Sequence, residues 1–143
     1  MNVQRPLELI LARNLLSSLS TPAFLVGEQG TLVYYNEAAG ALLGRAFEET
    51  GMLSAPEWTR LFGPFDENGE TLAYDEIAAT VALRANRPYH GSFRIRRGDG
   101  KVQPIAASAI PIVGPSGSSG AIVIFWPLSE EEAVSQSEKE AQA

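Results

Sequence analysis

The chain has 143 residues, a net charge of −6 at pH 7, 45% hydrophobic residues and 20% charged residues. Domains cluster near about 100 to 150 residues, so we expect one domain with terminal extensions and no second catalytic domain. The chain has no cysteine, which excludes disulfides, thiolate metal sites and cysteine nucleophiles.

Neither a membrane nor a nucleic acid is an expected partner. No apolar run in the sequence approaches the roughly 18 residues that a membrane-spanning helix needs. Nucleic-acid binding usually shows as a basic face, whereas this chain is acidic overall. We therefore expect a cytoplasmic protein.

Residues 1–19 are predicted to hold an amphipathic helix over 6–19. Pro6 suits a first helical turn, and apolar residues follow at mixed three- and four-residue spacings. These are Leu7, Leu9, Ile10, Leu11, Leu15, Leu16 and Leu19. A face this wide must cover the outer side of a sheet or the same helix of a second protomer. We assign Leu7, Ile10, Leu11 and Leu15 to such an interface, and we expect a homodimer.

A short hairpin and a helix come next along the chain. Ala23 to Val26 and Leu32 to Tyr35 are predicted strands, and Gly30 in the turn between them can adopt a positive φ. Asn36 suits the N-cap of the following helix, and Gly44 suits its C-terminal stop.

The rest of the chain is predicted to contain one long helix and three strands. Residues 45–72 are less regular, with short helical pieces between turns. The predicted helix runs from Asp75 to Ala85. The strands run from His90 to Arg97, from Val102 to Val113 and from Ala121 to Trp126, with a glycine- and serine-rich loop over 114–120.

The last two strands carry apolar residues at both alternating positions, which predicts a sheet covered on both faces. The middle helices can cover one face, and the helix over 6–19 the other. The fold class is therefore α+β, with a five-stranded antiparallel sheet, helices on one face and the N-terminal amphipathic helix on the other.

The stretch TPAFLVGEQGTLVYYNEAAGALLG resembles the opening of a PAS domain. Gly30, Asn36, Leu43 and Gly44 fit the pattern of that family, and Gly27 stands where the family usually has Asp. The resemblance spans roughly residues 20–128 and implies the strand order 2-1-5-4-3. It leaves residues 129–143 as an acidic tail or a short exit helix.

The resemblance implies a sensory or regulatory domain in signal transduction, with no catalysis of its own. Such a domain binds a small ligand or a protein partner and acts through self-association or docking. The predicted pocket lies between the sheet and the central helices. Its candidate lining residues are Tyr34, Leu43, Ile77, Val81, Phe93, Ile95, Ala106, Ser108, Ile122 and Ile124. The alternative is a constitutive dimerisation or adaptor module with a filled core and no ligand.

The cofactor is left open. The lack of cysteine excludes a flavin with a photochemical cysteine, whereas a non-covalent flavin could pack near Trp58 and Trp126. Haem would need an axial ligand, and His90 is the one histidine. The resemblance places the haem histidine of related domains on the long helix before the third strand, and His90 follows that helix. An exposed strand-edge histidine is therefore the favoured interpretation of His90.

Three further clusters of polar residues have a simple structural interpretation. Asp66, Glu67 and Glu70 lack the spacing of a calcium loop, so a solvated turn explains them. The basic edge formed by Arg94, Arg96, Arg97 and Lys101 is interpreted as a solvated strand face, with docking of an acidic segment as the alternative. Ser129 and Glu132 have the spacing of a capping box, which predicts a helix after the last strand.

Overall fold

The computed structural model describes residues 7–66, 68–114 and 117–135. In chain order the elements are α1 (Leu7–Leu16), β1 (Ala23–Gly27), β2 (Leu32–Tyr35), α2 (Glu37–Leu43), α3 (Phe47–Thr50), α4 (Ala55–Phe62), a 3-10 turn (Tyr74–Glu76), α5 (Ala78–Ala85), β3 (Tyr89–Arg96), β4 (Val102–Gly114) and β5 (Gly117–Pro127). Residues 130–135 are also helical, and we label them α6.

The five strands form one antiparallel sheet in the order β2-β1-β5-β4-β3, as predicted. β5 lies at the centre, where Ala23 of β1 is opposite Ile124 and Ile110 of β4 is opposite Ile122. A central strand buries both faces, which explains why its sequence does not alternate between apolar and polar residues.

Each face of the sheet has its own apolar cluster. The inner face packs against α2, α4 and α5 around an aromatic group that includes Phe24, Trp58 and Phe125. The outer face packs against α1 through Leu9, Ala12 and Leu16, all of which are buried. The prediction that helices cover both faces of the sheet is confirmed.

Local capping follows the sequence closely at α2. The Asn36 side chain accepts a hydrogen bond from the Ala39 amide, and Gly44 ends the helix with φ 82° in the left-handed region. The Ser129 and Glu132 capping box at α6 is also confirmed, because each side chain bonds the backbone amide of the other residue at 3.0 Å.

Three predicted boundaries were wrong. The first helix ends at Leu16 instead of residue 19, because the next turn tightens and Leu19 N donates to Leu16 O. The helix expected over 75–85 divides into the 3-10 turn and α5, since Ile77 is extended with ψ 133°. The loop expected over 114–120 is partly strand, because β5 already begins at Gly117.

Small residues let the β4–β5 hairpin continue beneath α1. A Cβ atom at Gly120 would lie 2.8 Å from Leu9 Cδ2 and 2.5 Å from the Val26 carbonyl oxygen. The glycine content of this stretch therefore reflects close packing as well as turn formation. The predicted tail beyond residue 135 lies outside the described residues.

Candidate functional site

The predicted pocket residues divide between the two faces of the sheet. Leu43, Ile77, Val81, Phe93 and Ile95 lie on the inner side, in or beside the inner core. Tyr34, Ala106, Ser108, Ile122 and Ile124 do not lie there. The prediction that all ten line one pocket was therefore wrong in its geometry.

The second group belongs to the outer face. Tyr34, Ile122 and Ile124 pack against the cluster beneath α1. Ala106 packs with Leu128 and Ala133 of the C-terminal segment. Because both alternating positions of β4 and β5 are apolar, their pattern did not reveal which set points inward. Bulk does not separate the two sets either, because Phe125 lies on the inner face while Ile122 and Ile124 lie on the outer face.

The inner face holds a small apolar cavity of about 50 Å³. Ile77, Phe93 and Ile95 line it, as do core residues that were not predicted from the sequence, such as Trp58 and Ala107. Small-molecule sites usually have about 300 to 1,000 Å³. The inner core is thus nearly filled.

Aromatic rings account for this filling. The Phe24 ring lies 5.1 Å from Phe125, 6.0 Å from Trp58 and 6.4 Å from Phe62, measured between centroids. The Trp58 indole nitrogen donates to the Gly30 carbonyl oxygen at 2.8 Å, which holds α4 against the β1–β2 turn. Trp58 is therefore a core residue with a satisfied polar atom.

A larger cleft of about 490 Å³ lies beside β3. Val81, Phe93 and Ile105 line it together with polar residues that include Asp66 and Arg94. Phe93 and Ile105 also line the inner cavity, so these two side chains lie between the two spaces. The volume of the cleft beside β3, unlike that of the inner cavity, is within the range of small-molecule sites.

His90 lies on the outer side of the sheet, away from the inner cavity. Its Nδ1 atom is 2.7 Å from Ser108 Oγ on the opposite strand, and the residue is exposed. His90 is thus an exposed residue of an edge strand, as expected from the sequence. Trp126 is also an outer-face residue and is 42% exposed, so it does not line the cavity.

The arginines of the basic edge contact groups of their own chain. Arg94 lies 3.4 Å from a Glu130 carboxylate oxygen, and Arg97 lies 2.6 Å from one of Asp99. The Arg96 guanidinium lies 5.0 Å from the centre of the Phe65 ring. These cations are already engaged, which favours the solvated-face interpretation over docking.

The solvent side of α1 carries four large apolar residues beside the exposed Arg13 and Asn14. Leu7, Ile10, Leu11 and Leu15 are 65%, 47%, 58% and 58% exposed. We call these four residues the α1 stripe. The same four residues are the ones predicted from the sequence to form an interface. The structure places them outward, and the interface itself stays a prediction.

Two observations concern metals and membranes. Over the described ranges, no group of three or more His, Asp or Glu side chains is arranged to bind a metal ion. Among the helices of those same ranges, none combines the length and apolar character needed to cross a membrane.

Comparison with solved structures identifies the fold. The PAS domain of a protein from Colwellia psychrerythraea has a TM-score of 0.60 at 16% identity, over 85% of this chain and 98% of that one. The PAS domain of BvgS from Bordetella pertussis has a TM-score of 0.57 at 12% identity, over 95% and 99%. A light-oxygen-voltage domain studied with a flavin analogue has a TM-score of 0.68 at 14% identity, over 90% and 93%.

No protein-family model matches the chain, and no curated protein matches it. At the identities of the solved structures, the likeness establishes the fold and not a ligand. The chain has a PAS fold.

A flavin does not fit the inner face as it stands. Its three-ring system needs a pocket of ordinary ligand size, whereas the cavity is about 50 Å³. Phe24, Trp58, Phe62 and Phe125 line the space that the rings would require.

Proposed function

We propose that this chain is a signalling domain that works as an interaction module and associates with a second copy through the α1 stripe. The observation that carries the proposal is the outward placement of four large apolar side chains on one helix whose opposite side is buried. Fully burying a side chain of this kind stabilises by roughly 1.5–3 kcal/mol. The stripe therefore favours association.

Charge supports a second copy as the partner. The chain carries a net charge of −6, so two copies repel each other overall. Glu8 and Arg13 are the charged residues of α1 and offset each other. An apolar stripe on a helix without net charge lets two acidic molecules approach.

Contacts beneath α1 offer a path by which the inner layer would influence this surface. The Arg13 guanidinium lies 4.6 Å from the centre of the Tyr34 ring and 5.5 Å from that of Phe47. Phe47 begins α3 and also contacts Tyr35, which belongs to the inner core. A rearrangement of the inner helices would then alter the position of α1.

A small ligand is the second candidate, and the cleft beside β3 is the observation that favours it. Its volume of about 490 Å³ suits a small molecule, and Phe93 connects it to the inner core. In this alternative, ligand binding in the cleft changes the packing of α5 and β3. The changed packing then alters self-association.

The proposal includes no catalytic step and assumes a cytoplasmic setting. His90 and Ser108 are hydrogen-bonded on an open sheet face, and we assign them no chemical role. A docking partner other than a second copy is the alternative to self-association.

Native mass spectrometry of the purified protein tests the proposal. An empty dimer is the expected result, and its dissociation on substitution of Leu11 and Leu15 by Gln would place the contact on α1. A bound small molecule that survives gentle ionisation would instead support the ligand version. A monomer that carries no ligand at high protein concentration would contradict both.

A further inference from the structure

A small hollow lies where the β3–β4 turn meets the ends of α2 and α4. Its volume is about 160 Å³, and three arginines line it. Arg45 follows α2, Arg96 ends β3, and Arg97 begins the turn. The apolar lining residues are Leu43, Leu61 and Phe62. We call this place the arginine hollow. Among the described residues, none lines both the arginine hollow and the cleft beside β3.

Two glycines bring the elements around the arginine hollow together. A Cβ atom at Gly44 would lie 2.5 Å from Gly98 Cα, and the Gly98 amide donates to the Leu42 carbonyl oxygen at 3.3 Å. The β3–β4 turn therefore packs directly against the end of α2. Arg45 follows one glycine of this pair and Arg97 precedes the other, so the two arginines come to the same hollow.

The arginine hollow is a positive site on an acidic chain. The net charge of the chain is −6, yet three of its 11 Lys and Arg residues line this one hollow. The Asp99 carboxylate accepts hydrogen bonds from the Arg97 side chain at 2.6 Å and from the Lys101 amide at 3.0 Å. With Asp99 included, the three arginines and this carboxylate keep a net charge of +2. An anion in the hollow would relieve the repulsion among the guanidinium groups.

The contacts of Arg96 and Arg97 orient their guanidinium groups and leave donors for a ligand. A guanidinium has five N–H donors. Arg97 directs one nitrogen to Asp99 at 2.6 Å and the other terminal nitrogen to Gln103 Oε1 at 3.4 Å. The Arg96 guanidinium lies 5.0 Å from the centre of the Phe65 ring, and this cation–π contact requires no oxygen acceptor. Both side chains are thus held in place without using all their donors.

Arg45 has the most donor capacity for a ligand. It is exposed, and within the described ranges its guanidinium makes no ion pair. The carbonyl end of α2 is close and would by itself oppose an anion, but its carbonyl groups are occupied. Gly40 O accepts from the Gly44 and Arg45 amides at 2.8 and 3.2 Å. Leu42 O accepts from the Gly98 amide, as described above.

The size of the arginine hollow limits its ligand to one small anionic group. Its volume of about 160 Å³ is below the range of about 300 to 1,000 Å³ for drug-sized ligands. It equals about five water molecules at roughly 30 Å³ each. A phosphate group, with one phosphorus and four oxygen atoms, is of this size, and the arginine fork matches its oxygens. Above its second pKa of about 6, phosphate also has the charge that balances the hollow.

We propose that the arginine hollow binds a phosphate group, either as free inorganic phosphate or as the end of a small phosphomonoester. Arg45, Arg96 and Arg97 donate to the phosphate oxygens. The bound group would connect the end of α2 to the β3–β4 turn. The proposal is independent of the proposed self-association, because the hollow contains no residue of the α1 stripe.

An NMR titration of the whole chain with inorganic phosphate tests the site, at about pH 7.5 where phosphate is mainly the dianion. Sodium chloride keeps the ionic strength constant. We expect the amides of Arg45, Gly98 and Gly100 to shift along one saturable curve. Arg45→Gln should raise the dissociation constant at least tenfold. Arg87→Gln is the matched control and should leave it unchanged, because Arg87 is also exposed but precedes β3, at the opposite end of that strand from Arg96.

Phenyl phosphate distinguishes the two sources of the phosphate group. Its ring can pack on the apolar lining of Leu61 and Phe62. Binding at least fivefold tighter than that of inorganic phosphate would support the site and assign it to a phosphomonoester. Equal or weaker binding would support the site and assign it to the free ion.

Three outcomes would overturn the proposal. The first is a set of amide shifts that does not saturate or that spreads over all cationic surfaces, since this indicates general ionic screening. The second is an unchanged dissociation constant in Arg45→Gln. The third is acetate binding as tight as phosphate binding, because we expect this singly charged carboxylate to bind at least tenfold more weakly. None of these outcomes affects the proposed self-association, which sedimentation velocity measures separately.

Discussion

Asn36 Nδ2 donates a hydrogen bond to the Leu16 carbonyl oxygen at 3.1 Å, which ties the end of α1 to the start of α2. The same nitrogen donates to Thr21 O at 2.8 Å, and Asn36 Oδ1 accepts from the amides of Ala23 and Ala39. One buried amide thus joins α1, β1 and α2. This makes Asn36 the polar link between the outer helix and the domain.

Asn36→Ala should destabilise the domain more than loss of an ordinary helix cap. An N-cap substitution costs about 1 kcal/mol, and each buried backbone group left without a partner costs roughly 1–3 kcal/mol more. We expect a loss of about 3 kcal/mol in the free energy of unfolding, measured with urea. Ser54→Ala is the matched control, because Ser54 caps α4 at the surface. Equal losses for the two variants would argue against the linking role.

Gly98→Ala should also destabilise the domain, because two glycines touch through their backbones. A Cβ atom at Gly98 would lie 2.6 Å from Gly44 Cα, between the β3–β4 turn and the end of α2. Overpacking of this kind costs about 1–3 kcal/mol. At Gly27 the nearest atom would be at 3.5 Å, an ordinary contact. Urea unfolding of Gly27→Ala should therefore show little change, and a neutral Gly98→Ala would contradict the close packing.

Ala107→Val should stabilise the domain by filling the inner cavity. The cavity is about 50 Å³, and unfilled volume costs about 24 cal/mol per Å³, which amounts to about 1 kcal/mol. Ala109→Val is the comparison, because Ala109 packs against Ala78 and Ala82 without lining the cavity. It should destabilise through overpacking. Thermal unfolding of both variants measures the contrast, and a loss of stability in Ala107→Val would mean that the space cannot accept the methyl groups.

Glu132 should link the capping of α6 to pH. A hydrogen bond from the Ser129 backbone amide, joined by one with the Ser129 side chain, lowers the pKa of Glu132. Because the folded-state pKa is depressed, the cap is complete above the ordinary glutamate value of about 4.3 and is lost as the pH falls through the lower folded value.

An NMR titration of the Ser129 amide measures this link. Its inflection should lie below the ordinary glutamate pKa and should disappear in Glu132→Gln. An inflection at or above the ordinary value would contradict the capping account.

The sequence predicted local features well and contacts between distant residues poorly. Asn36 and Gly44 were identified as helix caps because capping depends on neighbouring residues. The bond from Asn36 to Leu16 and the contact of Gly44 with Gly98 depend on how the elements pack, and no local pattern indicates them.

The candidate site shows the same contrast between features that depend on neighbouring residues and features that depend on packing. Both faces of β4 and β5 are apolar, so Ile122 and Ile124 were assigned to the wrong face. For α1, the wide apolar face required a covered side and an outward side. The outward placement of Leu11 and Leu15 was predictable from this requirement.

Sedimentation velocity over a range of protein concentrations, for the wild type and for Leu11→Glu, tests self-association through the α1 stripe most directly. Leu11 is 58% exposed, so a charge there should leave the fold intact. We predict a concentration-dependent dimer for the wild type and a monomer for Leu11→Glu. A wild type that stays monomeric throughout, or a dimer that Leu11→Glu does not weaken, would contradict the account.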